Sequence, residues 1–116
     1  MKEMSDFLEK HGDSTILTCK IFSEIEDSDL LVLKTGIGLQ INALTNKKEI
    51  LFVVEEVDEE MAELMQDYRG YLINVAIPCV LSDDDSIALM KEFSYGLNFL
   101  KLKHDIVGFR TVENNV

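Results

Sequence analysis

The sequence predicts an α+β domain: an antiparallel sheet of about five strands with three helices, closed by a long C-terminal helix. Three observations predict it. The 116 residues share one compositional regime, 47% hydrophobic, with a single proline (Pro78) and no Pro- or Ser-rich linker, so residues 1–116 read as one domain with a real core. Apolar residues alternate with polar ones in some stretches and recur at three and four in others. Polar turn signals separate these stretches.

Met1, Met4, Phe7, Leu8 and His11 fall at helical spacing, and Gly12 follows as a C-cap, which predicts a short first helix. Thr15–Ile25 alternates and predicts a strand, with Leu17, Cys19, Ile21 and Ile25 on one face. Glu26-Asp27-Ser28-Asp29 reads as a polar turn. Leu30–Lys34 and Leu39–Leu44 read as two further strands, joined by a turn at Thr35-Gly36. Ile50–Val54, "ILFVV", is apolar on both faces and predicts a central strand covered on both sides.

Asp58 suits an N-cap for a second helix, with Met61, Leu64, Met65 and Tyr68 on one face and Arg69-Gly70 at its end. Tyr71–Leu81 predicts a long strand, and Pro78 marks its far end as an edge or a bulge. Ser82 precedes Asp83-Asp84-Asp85. A serine followed three residues later by an aspartate, ahead of an apolar run, is a capping-box pattern. Three adjacent carboxylates on a helix fan out by about 100° each and do not converge on a metal ion. The triplet therefore predicts the start of the last helix.

That helix carries two apolar stripes. Ile87, Met90, Phe93, Leu97 and Leu100, with Leu89 beside them, predict the face packed on the sheet. Ala88, Tyr95, Phe99 and Leu102 form a second face. A surface helix normally has one such stripe, so the second predicts a neighbour: the first helix of the same chain, or a homodimer or partner interface. Gly96 inside this helix costs about 1 kcal/mol relative to alanine, and close approach of another backbone would offset that.

Net charge is −11, from 22 acidic and 11 basic side chains spread evenly along the chain. A field of that sign repels phosphate backbones and anionic membranes and attracts basic proteins. No direct nucleic-acid or membrane partner is expected, and a cytoplasmic location is. Glu55, Glu56, Asp58, Glu59, Glu60 and Glu63 put six carboxylates within nine residues, a candidate acidic interface for a basic protein. Glu24, Glu26, Asp27 and Asp29 form a smaller cluster.

Familiar constellations of catalysis are missing. Gly36-Ile37-Gly38 opens like a dinucleotide loop, but Ile41 stands where the third glycine belongs. Asp27-Ser28-Asp29 lacks the glycine and closing glutamate of a calcium loop. Cys19 and Cys79, in strand-like contexts, read as reduced thiols, and His11 and His104 lack zinc spacing. No catalytic residue, cofactor or metal is expected.

Leu30–Thr45 read as hairpin strands, Tyr71–Leu81 as a late strand, and Ser82–His104 as a closing helix resemble, in their order, the type III secretion chaperones and the related bacterial sensory-transduction-regulator domains. The resemblance implies a small acidic α+β protein, often a homodimer, that holds other proteins and catalyses nothing. The expected function is a non-enzymatic, chaperone- or adaptor-like binding module. An immunity protein that inhibits a basic toxin is the alternative, and a small ligand-sensing domain or enzyme the second.

Overall fold

The computed structural model describes residues 2–47, 49–56 and 70–113. Among them the elements are α1 (Lys2–His11), β1 (Ser14–Ile21), α2 (Asp27–Thr45), β2 (Leu51–Glu56), β3 (Tyr71–Ile77), α3 (Asp83–Phe99) and β4 (His104–Val112). The strands form one antiparallel sheet in the order β2-β3-β1-β4. The α+β class and the antiparallel pairing agree with the sequence. The sheet has four strands among the described residues, where about five are predicted. No helix among the described residues is long and apolar enough to cross a membrane.

The largest correction is α2. Residues 27–45 form one continuous helix, so Leu30–Lys34 and Leu39–Leu44 are not strands and Thr35-Gly36 is not a turn. Leu30, Leu33, Ile37, Ile41 and Leu44 step by three and four, and all five pack into the core. Glu26 to Asp29 start this helix: Asp29 accepts a hydrogen bond from the Glu26 N–H at 3.2 Å. Asn46 ends it in the left-handed conformation, its N–H donating to Asn42 O. The helix also removes Leu30–Thr45 from the hairpin-strand pattern of the chaperone-like families.

Other ends move too. The first strand stops at Ile21, short of Ile25. The late strand stops at Ile77, ahead of Pro78, which has no N–H to extend the ladder. The turn beyond it is held to β1 by Thr15, whose hydroxyl donates to Cys79 O at 2.9 Å and accepts from Leu81 N–H at 3.1 Å. Among the described residues "ILFVV" lies on an edge strand, not a central one, although Phe52 and Val54 pack on one face of the sheet and Leu51 on the other. The long helix is not C-terminal: it ends at Phe99, and β4 follows along the other sheet edge. The predicted helix over Asp58–Tyr68 lies outside the described residues.

α1 ends and α3 begins as their caps predict. Gly12, at φ +75°, donates its N–H to Leu8 O. Ser82 Oγ accepts from Asp85 N–H at 3.2 Å, with the three aspartates in the first turn.

The sheet has two unequal faces. Leu17, Cys19 and Ile21 of β1 and Ile73, Val75 and Ile77 of β3 point to α2 and α3, and this side holds the main core. Ile16 and Ala76 point the other way and meet Phe7 of α1. α1 is further tied down by Lys10, whose Nζ lies 3.1 Å from Glu49 Oε1. That bond holds the Glu49 carboxyl below its ordinary range.

Both cysteines are free: Cys19 is buried and Cys79 half-buried. Burial, with the negative charge of Asp105 added, pushes the Cys19 thiol up to about 12. The folded chain therefore holds a proton that the unfolded chain releases near pH 8.5. This contribution to stability is complete below about pH 8.5 and declines as pH rises towards 12. Alkylation read by mass spectrometry should leave Cys19 unmodified in native protein at mildly alkaline pH and modify it fully in denaturant. Native-state labelling at the rate of a free thiol would refute the burial.

Candidate functional site

The outer side of the α2–α3 layer carries the most unusual surface. On α2, the turns that bury Leu33, Ile37 and Ile41 leave Leu31, Val32 and Leu39 outside, 66%, 50% and 67% exposed. On α3, burial of Leu89, Phe93 and Leu97 leaves Tyr95 and Phe99 outside, 71% and 74% exposed. α2 runs between two hollows. One, about 320 Å³, lies between the helices and is lined by Val32, Gly36, Glu92, Phe93, Tyr95 and Phe99 among others. The second, about 420 Å³, lies on the far side of α2, towards Ile50, and includes Leu31, Lys34, Thr35 and Leu39.

Of the four predicted apolar interface residues, Tyr95 and Phe99 are on this surface. Ala88 is half-buried on α3. Leu102 is buried beyond the helix end, where its N–H bonds back to Leu97 O, so it belongs to the core. Ile87, expected to pack on the sheet, is exposed. The second stripe does not pack on the first helix, because α1 covers the opposite face of the sheet. Gly96 faces α2: a Cβ there would stand 3.4 Å from Leu33 Cδ2, so a side chain, not a backbone, is its close neighbour.

Sequence reasoning missed the α2 half of the surface, Leu31, Val32, Gly36 and Leu39. The three-and-four spacing of their buried neighbours was the available signal.

Glu55 and Glu56 of the predicted acidic interface lie at the end of β2, half-buried and exposed respectively. Asp58, Glu59, Glu60 and Glu63 lie outside the described residues. The fold brings one residue of each acidic cluster, Glu24 and Glu56, to Tyr71. Glu56 pairs with Tyr71 in the ladder, and the Tyr71 hydroxyl donates to Glu24 Oε2 at 3.4 Å. The charge of Glu24, then partial burial, then Glu56 raise the Tyr71 phenol above its ordinary value.

His11 ends α1 as expected, its ring tilted against Phe7 with centroids 4.5 Å apart and its Nε2 3.3 Å from Glu49 Oε2, off the angle of a hydrogen bond. His104 opens β4. Its Nδ1 lies 2.9 Å from Leu102 O and its Nε2 3.2 Å from Ser94 Oγ. A carbonyl only accepts, so Nδ1 carries the proton and Nε2 accepts from the serine hydroxyl. The pair fastens the end of α3 to the start of β4. The carbonyl orients the ring. Among the described residues, no group of three His, Cys, Asp or Glu side chains is arranged to hold a metal ion.

No family model matches the chain. No curated protein matches it either. A solved structure, a phage SAM lyase in complex with S-methyl-5'-thioadenosine, aligns over 89% of this chain and 91% of its own, at 9% identity and a TM-score of 0.43. A likeness at that level assigns neither fold family nor chemistry.

The α2 half of this surface is nearly free of charge. In residues 30–45 the single charged side chain is Lys34, in a chain of net charge −11. Depletion of charge with exposed aromatics is what distinguishes the core of a protein–protein interface from ordinary surface.

Proposed function

We propose that the protein is a protein-binding module, not an enzyme, and that its binding face is the outer side of α2 and α3. One observation carries this reading: five large apolar side chains, Leu31, Val32, Leu39, Tyr95 and Phe99, stand exposed across two adjacent helices. Scattered exposed apolar residues are ordinary, whereas a contiguous patch marks an interaction surface. The acidic end of the sheet at Glu24, Glu56 and Tyr71 supports a second role, steering a basic protein towards the module. A chaperone- or adaptor-like function uses the apolar face first. An inhibitor of a basic toxin would use the acidic end first.

Capture of partners from host lysate, with tagged wild type and the Tyr95→Asp/Phe99→Asp double variant, tests this. Wild type should retain at least one stoichiometric partner in high salt. The double variant should lose it with an unchanged circular-dichroism spectrum. Identical partners on both would remove the helix face from the account. A single basic partner released from both by salt would favour the inhibitor role.

A further inference from the structure

We infer that the occupant of this face is a second copy of the chain, seated on Gly36 and related by a two-fold axis running along α2; this rests on reading the face as a protein-binding surface. Three observations lead there. The first is Gly36 itself. It stands in the middle of a helix, and nothing lies within 4 Å of the place a Cβ would occupy. Glycine weakens a helix interior, so its presence calls for a compensating contact. Gly96 and Gly38 have theirs within the chain, against Leu33 at 3.4 Å and Ile50 at 3.8 Å. Gly36 has none among the described residues, and it opens into the hollow beside Val32, Tyr95 and Phe99. A bare stretch of helix there admits a neighbouring backbone or ring.

The second is self-complementarity. A two-fold interface uses the same patch twice, so the patch must offer both projections and hollows. Here α3 projects Tyr95 and Phe99 on one side of α2, and a hollow of about 420 Å³ lies on the other. Rotation about an axis along α2 carries α3 of the second copy over that hollow, and the reverse contact forms at the same time.

The third is charge. The two hollows are lined by one cation, Lys34, and one anion, Glu92, neither of them in an ion pair among the described residues. The same rotation brings Glu92 of each copy towards Lys34 of the other. Opposite charges thus face each other twice. A strongly basic partner would find one carboxylate on this face. The net −11 of each copy opposes association only at long range, where salt screens it.

Analytical ultracentrifugation of the full chain decides the matter. Wild type should sediment as a dimer of the 13.2 kDa chain, and its dissociation constant should fall as salt rises from about 0.05 to about 0.5 M. Gly36→Leu and Lys34→Glu should each raise that constant about tenfold or more. Adding Glu92→Lys to Lys34→Glu should restore it. Gly36→Leu meets open space in the monomer, so its thermal midpoint at low concentration should not drop, and folding is controlled for. A wild type that stays monomeric up to about 100 μM, roughly a 5–6 kcal/mol bound, overturns the dimer. If Tyr95→Asp/Phe99→Asp still abolishes partner capture in that case, the protein-binding reading survives with a different occupant. If that variant changes neither mass nor capture, both fall. A dimer indifferent to Gly36→Leu and to the charge swap overturns the proposed seat and axis.

Discussion

Gly70→Ala should remove a large part of the stability. Gly70 stands immediately before β3 at φ +143°, a conformation that side chains rarely adopt. A Cβ at this position would collide with the carbonyl oxygen of Ile21 and crowd Phe22 Cα. Those are backbone atoms, and Ile21 is paired with Tyr71 at the end of the β1–β3 ladder, so they cannot give way without opening the ladder. The strained dihedral is worth about 1–3 kcal/mol. The overpacking is worth about 1–3 kcal/mol more. Against a total of about 5–15 kcal/mol, that leaves a marginal fold. Urea denaturation followed by circular dichroism should show the midpoint falling steeply, or no folded baseline. A midpoint within error of wild type would mean that the chain enters β3 by another route.

Phe93→Ala should cost about 3–5 kcal/mol. Phe93 is buried between α3 and the core residues of α2, and it also forms the floor of the hollow between the two helices. Truncation leaves a void under that hollow and deepens it. Phe99 is the informative control, on the same helix and in the same hollow but 74% exposed. Phe99→Ala should change monomer stability by no more than about 0.5 kcal/mol. Chemical denaturation at low protein concentration reads both, since self-association would add stability by mass action. Equal losses from the two would mean that Phe99 is buried in the isolated chain.

The two phenylalanines show which part of the site was legible. Exposure of Tyr95 and Phe99 follows from periodicity, because α3 has one apolar stripe too many. The α2 half is hidden by its own glycines. Thr35-Gly36 reads as a turn, and a turn there divides the helix into two apparent strands. In the structure one helix runs through these positions because Leu33, Ile37 and Ile41 are all buried; Ile50 fills the space beside Gly38, while Gly36 has no such neighbour among the described residues. β4 escapes for a different reason. Cys19 pairs with Ile106 and Thr18 with Gly108, so Val107 is an extra residue in the strand. A bulge breaks the alternation by which a strand is recognised.

Sequence alone determined the α+β class, the first helix with its Gly12 cap, the β1 core residues, the start of α3 at Ser82 and the acidic balance. Each of these is written in signals that reach four residues or fewer, or in composition. Tertiary structure decided that "ILFVV" is an edge, that α1 covers one face of the sheet while α2 and α3 cover the other, and that Glu24 meets Tyr71 across 47 positions of chain. It also decided that Val32 and Gly36 of α2 share a hollow with Tyr95 and Phe99 of α3. Such placements follow from which buried faces can be satisfied together, and the periodicity of one segment carries no information about the position of another.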